Sequence, residues 1–255
     1  MGSDGLYIEA RIRTGIDLLW ERTRNPGPHA RWDLRFTEIR PLPRLIGEPE
    51  RFTYRTRLVG PLEVSGTGVS AGERDRPDGT RTSALRFASD HPLSPIAEGR
   101  GYWRYIPDGD GVRFLTGYDY RPHRGRIGRA ADRLLFRPLM GWATAWSFDR
   151  LRLWCERGLT PESALRRAAA EAALRCAAAL GALLAAPLPA AAAVCAAALL
   201  LPPLPTTPAA RRCLRRPPNG RTGAPPALLD RLGRPHRDGR DGPPAPNRTE
   251  RLDTT

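Results

Sequence analysis

Five side chains are of the types that acid–base chemistry needs: Asp33, Tyr54, Tyr118, Asp119 and His123. Each also has a plainer reading. Asp33 follows Trp32 and lies between Arg31 and Arg35, so a turn cap or an ion pair accounts for it as well as a reaction does. In Phe114–Tyr120 a period of two puts Phe114, Thr116, Tyr118 and Tyr120 on one face and Asp119 with Arg113 on the other. A cross-strand ion pair on the solvent side is the expected fate of Asp119. No catalytic residue is assigned on this basis. His29, His91, His123 and His236 show no H-x-H or H-x-x-x-H spacing, so no metal is expected. Cys155, Cys176, Cys195 and Cys213 include no C-x-x-C, and a disulfide framework is not indicated. All 41 Lys+Arg residues are arginine. Schiff-base and Walker-type lysine chemistry are therefore excluded. Gly66-Thr67-Gly68 lacks the rest of a dinucleotide fingerprint and reads as a bulged strand, so no cofactor is expected.

The elements that must position these groups follow from periodicity. Tyr7–Thr14 alternates, with Ile8, Ala10 and Ile12 on one side and Glu9, Arg11 and Arg13 on the other, as in a half-buried strand. A helix is expected over Gly15–Arg24, stopped at Asn25-Pro26-Gly27-Pro28, with a further short helix over His29–Leu34. Strands are expected at Phe36–Arg40, Arg51–Val59, Leu62–Ser70, Thr80–Ser89, Gly99–Ile106 and Val112–Tyr120. Pro77-Asp78-Gly79 and Asp108-Gly109-Asp110-Gly111 supply turn chemistry between them. Past Arg121-Pro122 the period becomes helical. Ala130, Leu134 and Phe136 are expected inward, and Pro138 should restart or kink the helix. The segment Leu139–Glu156 continues to Gly158, a residue suited to ending a helix, and Thr160-Pro161 opens the next one.

The stretch GWATAWSFDRLRLW (Gly141–Trp154) holds three of the six tryptophans. On a helix Leu139, Trp142, Ala143, Trp146, Leu153 and Trp154 form a broad apolar stripe. That stripe serves either as core against the sheet or as the wall of a ligand cavity, and the two readings stay open. A membrane role for these rings is disfavoured, since Arg150 and Arg152 interrupt a run already too short to span.

One strand, a helical excursion, about six antiparallel strands and a long helix make an α+β arrangement. With HARWDLRFTEI (His29–Ile39), GYWRY (Gly101–Tyr105), FLTGYDY (Phe114–Tyr120) and FRPLMGWATAWSFDRLRLW (Phe136–Trp154), it resembles the START / polyketide cyclase-like (SRPBCC) superfamily. The resemblance covers roughly residues 5–157. It implies a helix-grip fold, in which a curved antiparallel sheet wraps around a long C-terminal helix and encloses an apolar cavity. Binding or transport of an apolar small molecule, lipid or polyketide-like, is what the resemblance implies here. A polyketide cyclase/dehydrase-type enzyme is the alternative, and a pure interaction module with a filled core is a third. Tyr54, Phe87, Trp103, Phe114, Tyr118, Trp142 and Trp146 are the aromatic candidates for the cavity wall. The faces of Phe87 and Trp103 are ambiguous, because both sides of their strands carry large residues.

The domain is expected over residues 5–158. An Ala/Leu-rich helical segment over 159–204 and a disordered basic Pro/Arg-rich tail over 205–255 should follow. Cys176–Leu201 carries no charged residue. As one helix it would reach about 39 Å, enough to cross a hydrocarbon core of ~30 Å, but Pro187-Leu188-Pro189 divides it. The formal net charge is +14, with arginines on both sides of this block. That pattern suits a membrane surface better than nucleic acid, for which basic residues concentrate on the folded module. A single span, a re-entrant hairpin and a soluble helical hairpin all remain open for the block. MGSDGLYIEA has no apolar core, so no cleavable signal peptide is expected. The arginine-, alanine- and proline-heavy usage suggests a bacterial chain. The expected location is the inner membrane with the domain cytoplasmic, and the alternative is soluble in the cytoplasm. The oligomeric state is left open.

Overall fold

A computed structural model describes residues 5–43, 48–57, 63–91, 94–122 and 130–232. Seven strands form one antiparallel sheet: β1 (Leu6–Ile12), β2 (Glu38–Pro41), β3 (Arg51–Arg57), β4 (Glu63–Asp75), β5 (Arg81–Ala88), β6 (Ile96–Asp108) and β7 (Gly111–Pro122). Their order is β1-β7-β6-β5-β4-β3-β2. Each of β2 to β7 pairs with its sequence neighbour, as hairpin-linked strands do, and the first strand closes onto the last. Gly79 and Gly109 hold the left-handed φ that their tight turns require, at 78° and 60°. A bulge lies between Ser70 and Gly72 in β4, beside the Gly-rich run where one was expected.

Two helices occupy the β1–β2 connection, α1 (Ile16–Arg24) and α2 (Pro26–Trp32). Asn25 ends α1 as anticipated, but Pro26 then starts α2 rather than a loop. Proline fits the first helical turn, where its missing N–H would have no partner. The long helix α3 (Arg137–Arg157) packs on the sheet and ends at Gly158, whose φ is 65°. A π-helical turn, Asp132–Phe136, precedes it. There Leu134 and Leu135 point outward, 79% and 70% exposed, so the inward placement expected for Leu134 is corrected. The buried member of this turn is Asp132, which accepts a 2.6 Å bond from the Tyr120 hydroxyl. This is a helix-grip fold: an antiparallel sheet closed over one long helix.

Thr160 caps the next helix, α4 (Pro161–Ala185), by accepting from the Ser163 N–H. Pro187 separates it from α5 (Leu188–Leu200), and the pair forms a hairpin.

The chain beyond the hairpin departs from the expected free tail. Ala209, Ala210 and Cys213 are buried, and Asp149 of α3 accepts from the Ala209 N–H and from Arg212, both at 2.8 Å. Leu214 exchanges two 2.9 Å backbone bonds with Glu9, on the edge strand β1. Further on, Leu228 and Leu229 bury against Tyr7, Ala84, Tyr102 and Leu115 on the outer face of the sheet. Residues 207–229 thus form a strap that backs α3, covers one sheet edge and then lies on the outer face. The strap also explains β1, which is buried on both faces rather than one. Glu9 lies beneath it, held by Arg113 at 2.7 Å and by the Tyr7 hydroxyl. Residues 233–255 of the expected tail lie outside the described residues.

Candidate functional site

The pairing register sorts the sheet's side chains. Ile8, Ala10 and Ile12 of β1 stand opposite Thr116, Phe114 and Val112, and Gly99, Gly101, Trp103 and Tyr105 stand opposite Tyr120, Tyr118, Thr116 and Phe114. Phe87 pairs with Gly99 and Gly68, and Tyr54 with Gly66. Directly opposed residues share a face. All five sheet candidates, Tyr54, Phe87, Trp103, Phe114 and Tyr118, therefore belong to the face that α3 covers. This settles the faces of Phe87 and Trp103.

That face has two unlike halves. In one, aromatic rings fill the space between sheet and helix. Trp32, Tyr105, Phe114 and Phe148 are all but inaccessible, and Phe114 stacks on Phe148 with centroids 4.5 Å apart. Trp103 and Phe114, 6.0 Å apart and edge to face, are members of this packed cluster. Trp146 sits at its border, 6.2 Å from Trp142 in a stacked pair.

In the other half the side chains are half-buried. Phe52, Tyr54, Leu85 and Phe87 are all of this kind. Their rings lie flat because the neighbouring strand offers glycine. A Cβ on Gly66 would collide with Tyr54, one on Gly68 with Phe52, and one on Gly99 with Phe87. The result is a half-buried aromatic surface beside the packed half. At its β7 side Phe136 meets Tyr120 edge to face at 5.9 Å. Trp142 is 45% exposed and Leu139 55%, so the stripe read from the sequence is buried only in its later turns.

Between the halves lies a buried polar array. Asp33 accepts two bonds from Arg35, at 2.9 and 2.6 Å, and stands 3.2 Å from His29 Nε2. The Arg35 guanidinium lies 5.6 Å from the centre of the Tyr118 ring, and the Tyr118 hydroxyl is 3.1 Å from Thr144 Oγ1. Trp103 and Phe36 close on the His29 ring edge-on, at 4.8 and 5.3 Å. Burial alone would raise the Asp33 carboxyl, but the Arg35 charge and the His29 bond outweigh it and hold the group well below the usual carboxylate range. Burial pushes His29 down despite its bond to Asp33, so its neutral form is favoured. The Tyr118 hydroxyl is raised by burial against the opposing Arg35 charge, and Tyr54 is pushed up to about 12 by burial alone. The array is thus an ionised carboxylate, a neutral imidazole and two protonated phenols. Both Asp33 oxygens are engaged within the protein, so its ion pairing with Arg35 is the stronger of its two readings.

Among the remaining acid–base candidates, Asp119 pairs in register with Arg100 on the outer face of the sheet, away from the array. His123 lies outside the described residues. Sequence reasoning did not single out His29, Phe36 or Phe52 for the site, and offered Arg35 only as an ion-pair partner of Asp33. It also missed the glycines under the rings, although Gly66 and Gly68, two apart, opposite Tyr54 and Phe52 on the preceding strand, carried the signal.

No family model matches the chain. A curated relative, the "Uncharacterized membrane protein YndG" of Bacillus subtilis (strain 168), is 49% identical over 164 residues, which are 64% of this chain and 61% of that protein. The chain thus spans under two thirds of the length of that relative. Human StAR-related lipid transfer protein 5 is a similar solved structure, with 14% identity, 58% of this chain and 74% of that chain covered, and a TM-score of 0.44. The Zhui aromatase/cyclase from Streptomyces sp. R1128 is another, with 12% identity, 60% and 98% covered, and a TM-score of 0.40.

Proposed function

We propose that this chain binds an apolar small molecule, lipid or polyketide-like, in the open half of the sheet face, and that its helical hairpin holds it at a membrane. One observation carries the ligand reading: the half-buried rings of Phe52, Tyr54 and Phe87 set against glycines, on the same sheet face as a core that is otherwise packed. Soluble proteins close off such apolar surface unless something else covers it. The half-buried rings give contact area and the Tyr54 hydroxyl gives a polar point, the usual composition of a site for an apolar ligand. Tyr54, Phe87 and Trp142 are the proposed contacts. Trp103, Phe114, Tyr118 and Trp146 belong to the packed wall behind them and act by setting its shape. The name of the Bacillus subtilis relative, a membrane protein, supports the membrane part.

The test is extraction of the purified protein with organic solvent followed by mass spectrometry. Titration with fatty acids and aromatic polyketides, read by thermal shift, completes it. Recovery of a bound lipid, or a shift that Phe87→Ala abolishes, is the expected result. Neither co-purifying ligand nor a shift from any of these compounds would refute the ligand reading.

A further inference from the structure

The proposal concerns how deep the α4–α5 hairpin reaches, and it rests on the membrane part of the reading above. Both ends of the uncharged block meet at one place. Arg175, the residue before it, donates from Nη1 to the Ala198 and Leu201 carbonyls and from Nη2 to that of Pro202, all at 2.8–2.9 Å. It also pairs with Glu171, which accepts from the Leu204 N–H. A cation on the last carbonyls of a helix satisfies groups that have no partner within it. Here the cation comes from the partner helix, so it also fixes where the hairpin closes. Ala164 and Ala168, lower on α4, bury or pack against the domain core.

Only what lies beyond this clamp is free to enter a bilayer. On α4 that is Cys176–Ala185, which rises about 15 Å, and α5, with its 13 residues, rises about 20 Å. Both lengths fall far short of a ~30 Å hydrocarbon core and match one leaflet. The protruding part is apolar around its circumference: Leu183, Leu184, Leu188, Leu199 and Leu200 are 60–83% exposed. Arg166 and Arg167, earlier on α4 than the clamp, are exposed, as are Arg211, Arg215 and Arg216 in the strap, and their charge suits lipid headgroups. We infer that the hairpin is a monotopic anchor. It enters one leaflet of an anionic bilayer to its midplane, turns at Ala186-Pro187 and returns, with the Arg175–Glu171 clamp at the interface. Although α4 has the length and composition of a span, Glu171, Arg175 and their bonds to residues 198–204 would have to break for it to cross.

The experiment uses full-length protein and phosphatidylcholine vesicles with and without phosphatidylglycerol. Flotation with the vesicles, stronger when phosphatidylglycerol is present, is expected. Protein that stays behind refutes the membrane reading and this one together. If a soluble dimer forms instead, the apolar surface serves a second copy. Depth is then read from an NBD label on Leu188→Cys in a Cys176→Ser/Cys195→Ser background, with the same background lacking Leu188→Cys as control. A second label, on Ala186→Cys, guards against a local fault. Both should be quenched more by deeply placed than by shallow doxyl lipids, and protected from dithionite whether it is added outside or sealed inside. Reaction with dithionite inside means that the hairpin spans, and fast reaction from outside means that it lies in water. Either result overturns the single-leaflet anchor while leaving membrane attachment intact. Leu188→Arg should weaken vesicle binding about 100-fold, where Leu188→Ala does not; equal binding by the two overturns the proposal as well.

Discussion

Asp149→Asn should damage this protein far beyond what one surface-like residue on an arginine-rich helix suggests. Asp149 is fully buried and accepts three bonds: from Arg152 at 2.6 Å, and from Ala209 N and Arg212 at 2.8 Å. Two of these partners belong to the strap. An amide in its place keeps the shape but carries no charge, and it turns an N–H₂ toward groups that are themselves donors. Removing one partner from a buried ionic cluster costs about 3–5 kcal/mol, because the remaining charge loses its compensation. For a chain of this size that corresponds to roughly 6–20 °C in Tm. The assay is thermal unfolding of the full chain in mild detergent, paired with limited trypsin digestion. The bonds at Arg212 hold it in the folded strap, so cleavage there should accelerate in the variant well before global unfolding. A Tm within about 2 °C of the parent, with unchanged cleavage at Arg212, would refute the view that the strap is part of the fold. The same reasoning predicts that a chain ended at Gly158, complete in its strands and long helix, exposes Ala145, Asp149 and the outer sheet face and does not fold stably.

Three further outcomes follow from the geometry. His29 has its pKa lowered in the fold, so the unfolded chain binds more protons as pH falls below the ordinary value of 6.5; stability is full above that pH and declines below it, by up to about 1.4 kcal/mol per pH unit for this group. Asp33, also lowered, adds a loss of the same sign at more acid pH, and a Tm–pH profile should flatten near pH 6 in His29→Gln but not near pH 4. Trp32→Ala, in the packed half, should cost about 3–5 kcal/mol, whereas Trp142→Ala, 45% exposed, should cost under about 1 kcal/mol and mainly reduce any ligand-induced change in tryptophan fluorescence. Gly111→Ala should destabilise by more than about 1 kcal/mol in urea unfolding, since its Cβ would meet the Ile12 carbonyl oxygen at 2.5 Å, a backbone atom that cannot rotate aside.

Much of the sheet was legible because period-two patterning reports one-sided burial directly. Phe52 and Tyr54 alternate with Arg51, Thr53 and Arg55, and Phe114 and Tyr118 share the face that period two assigned them. The long helix was legible in position but not in orientation. From Thr144 to Leu151 every residue is buried, Asp149 and Arg150 included, because the sheet lies on one side and the strap on the other. A helix enclosed on two sides has no single apolar stripe to read. The strap itself was read as a tail, since its backbone bonds to Asp149 and Glu9, its Arg212 and its Leu228 and Leu229 are too widely spaced to leave a periodic trace. The candidate site was half legible. Aromatic residues were recognisable as wall material, but whether a given ring packs or lines depends on what stands across the sheet. That is a matter of register between distant residues. Asp33 was correctly offered Arg35 as a partner, while His29, four residues earlier, was weighed only as a metal ligand, because its place beside Asp33 depends on the turn that brings its ring over.

The rings lying on glycines have a consequence for how this sequence can change over time. Phe52 with Gly68 and Tyr102 with Gly117 are large–small pairs in which the ring fills the space a side chain on the glycine would need, while Gly66 and Gly99 are also crowded by the Ala88 carbonyl and by Tyr120. Neither member can drift alone. A side chain gained at 68 must be matched by one lost at 52, and one gained at 117 by one lost at 102. These positions should therefore vary in tandem among related chains. Phe52→Ala, harmful alone, should be partly rescued by Gly68→Val, at a position whose nearest neighbours are all atoms of the Phe52 ring, and a chain that redistributed volume within such a pair would reshape this surface without rebuilding the sheet.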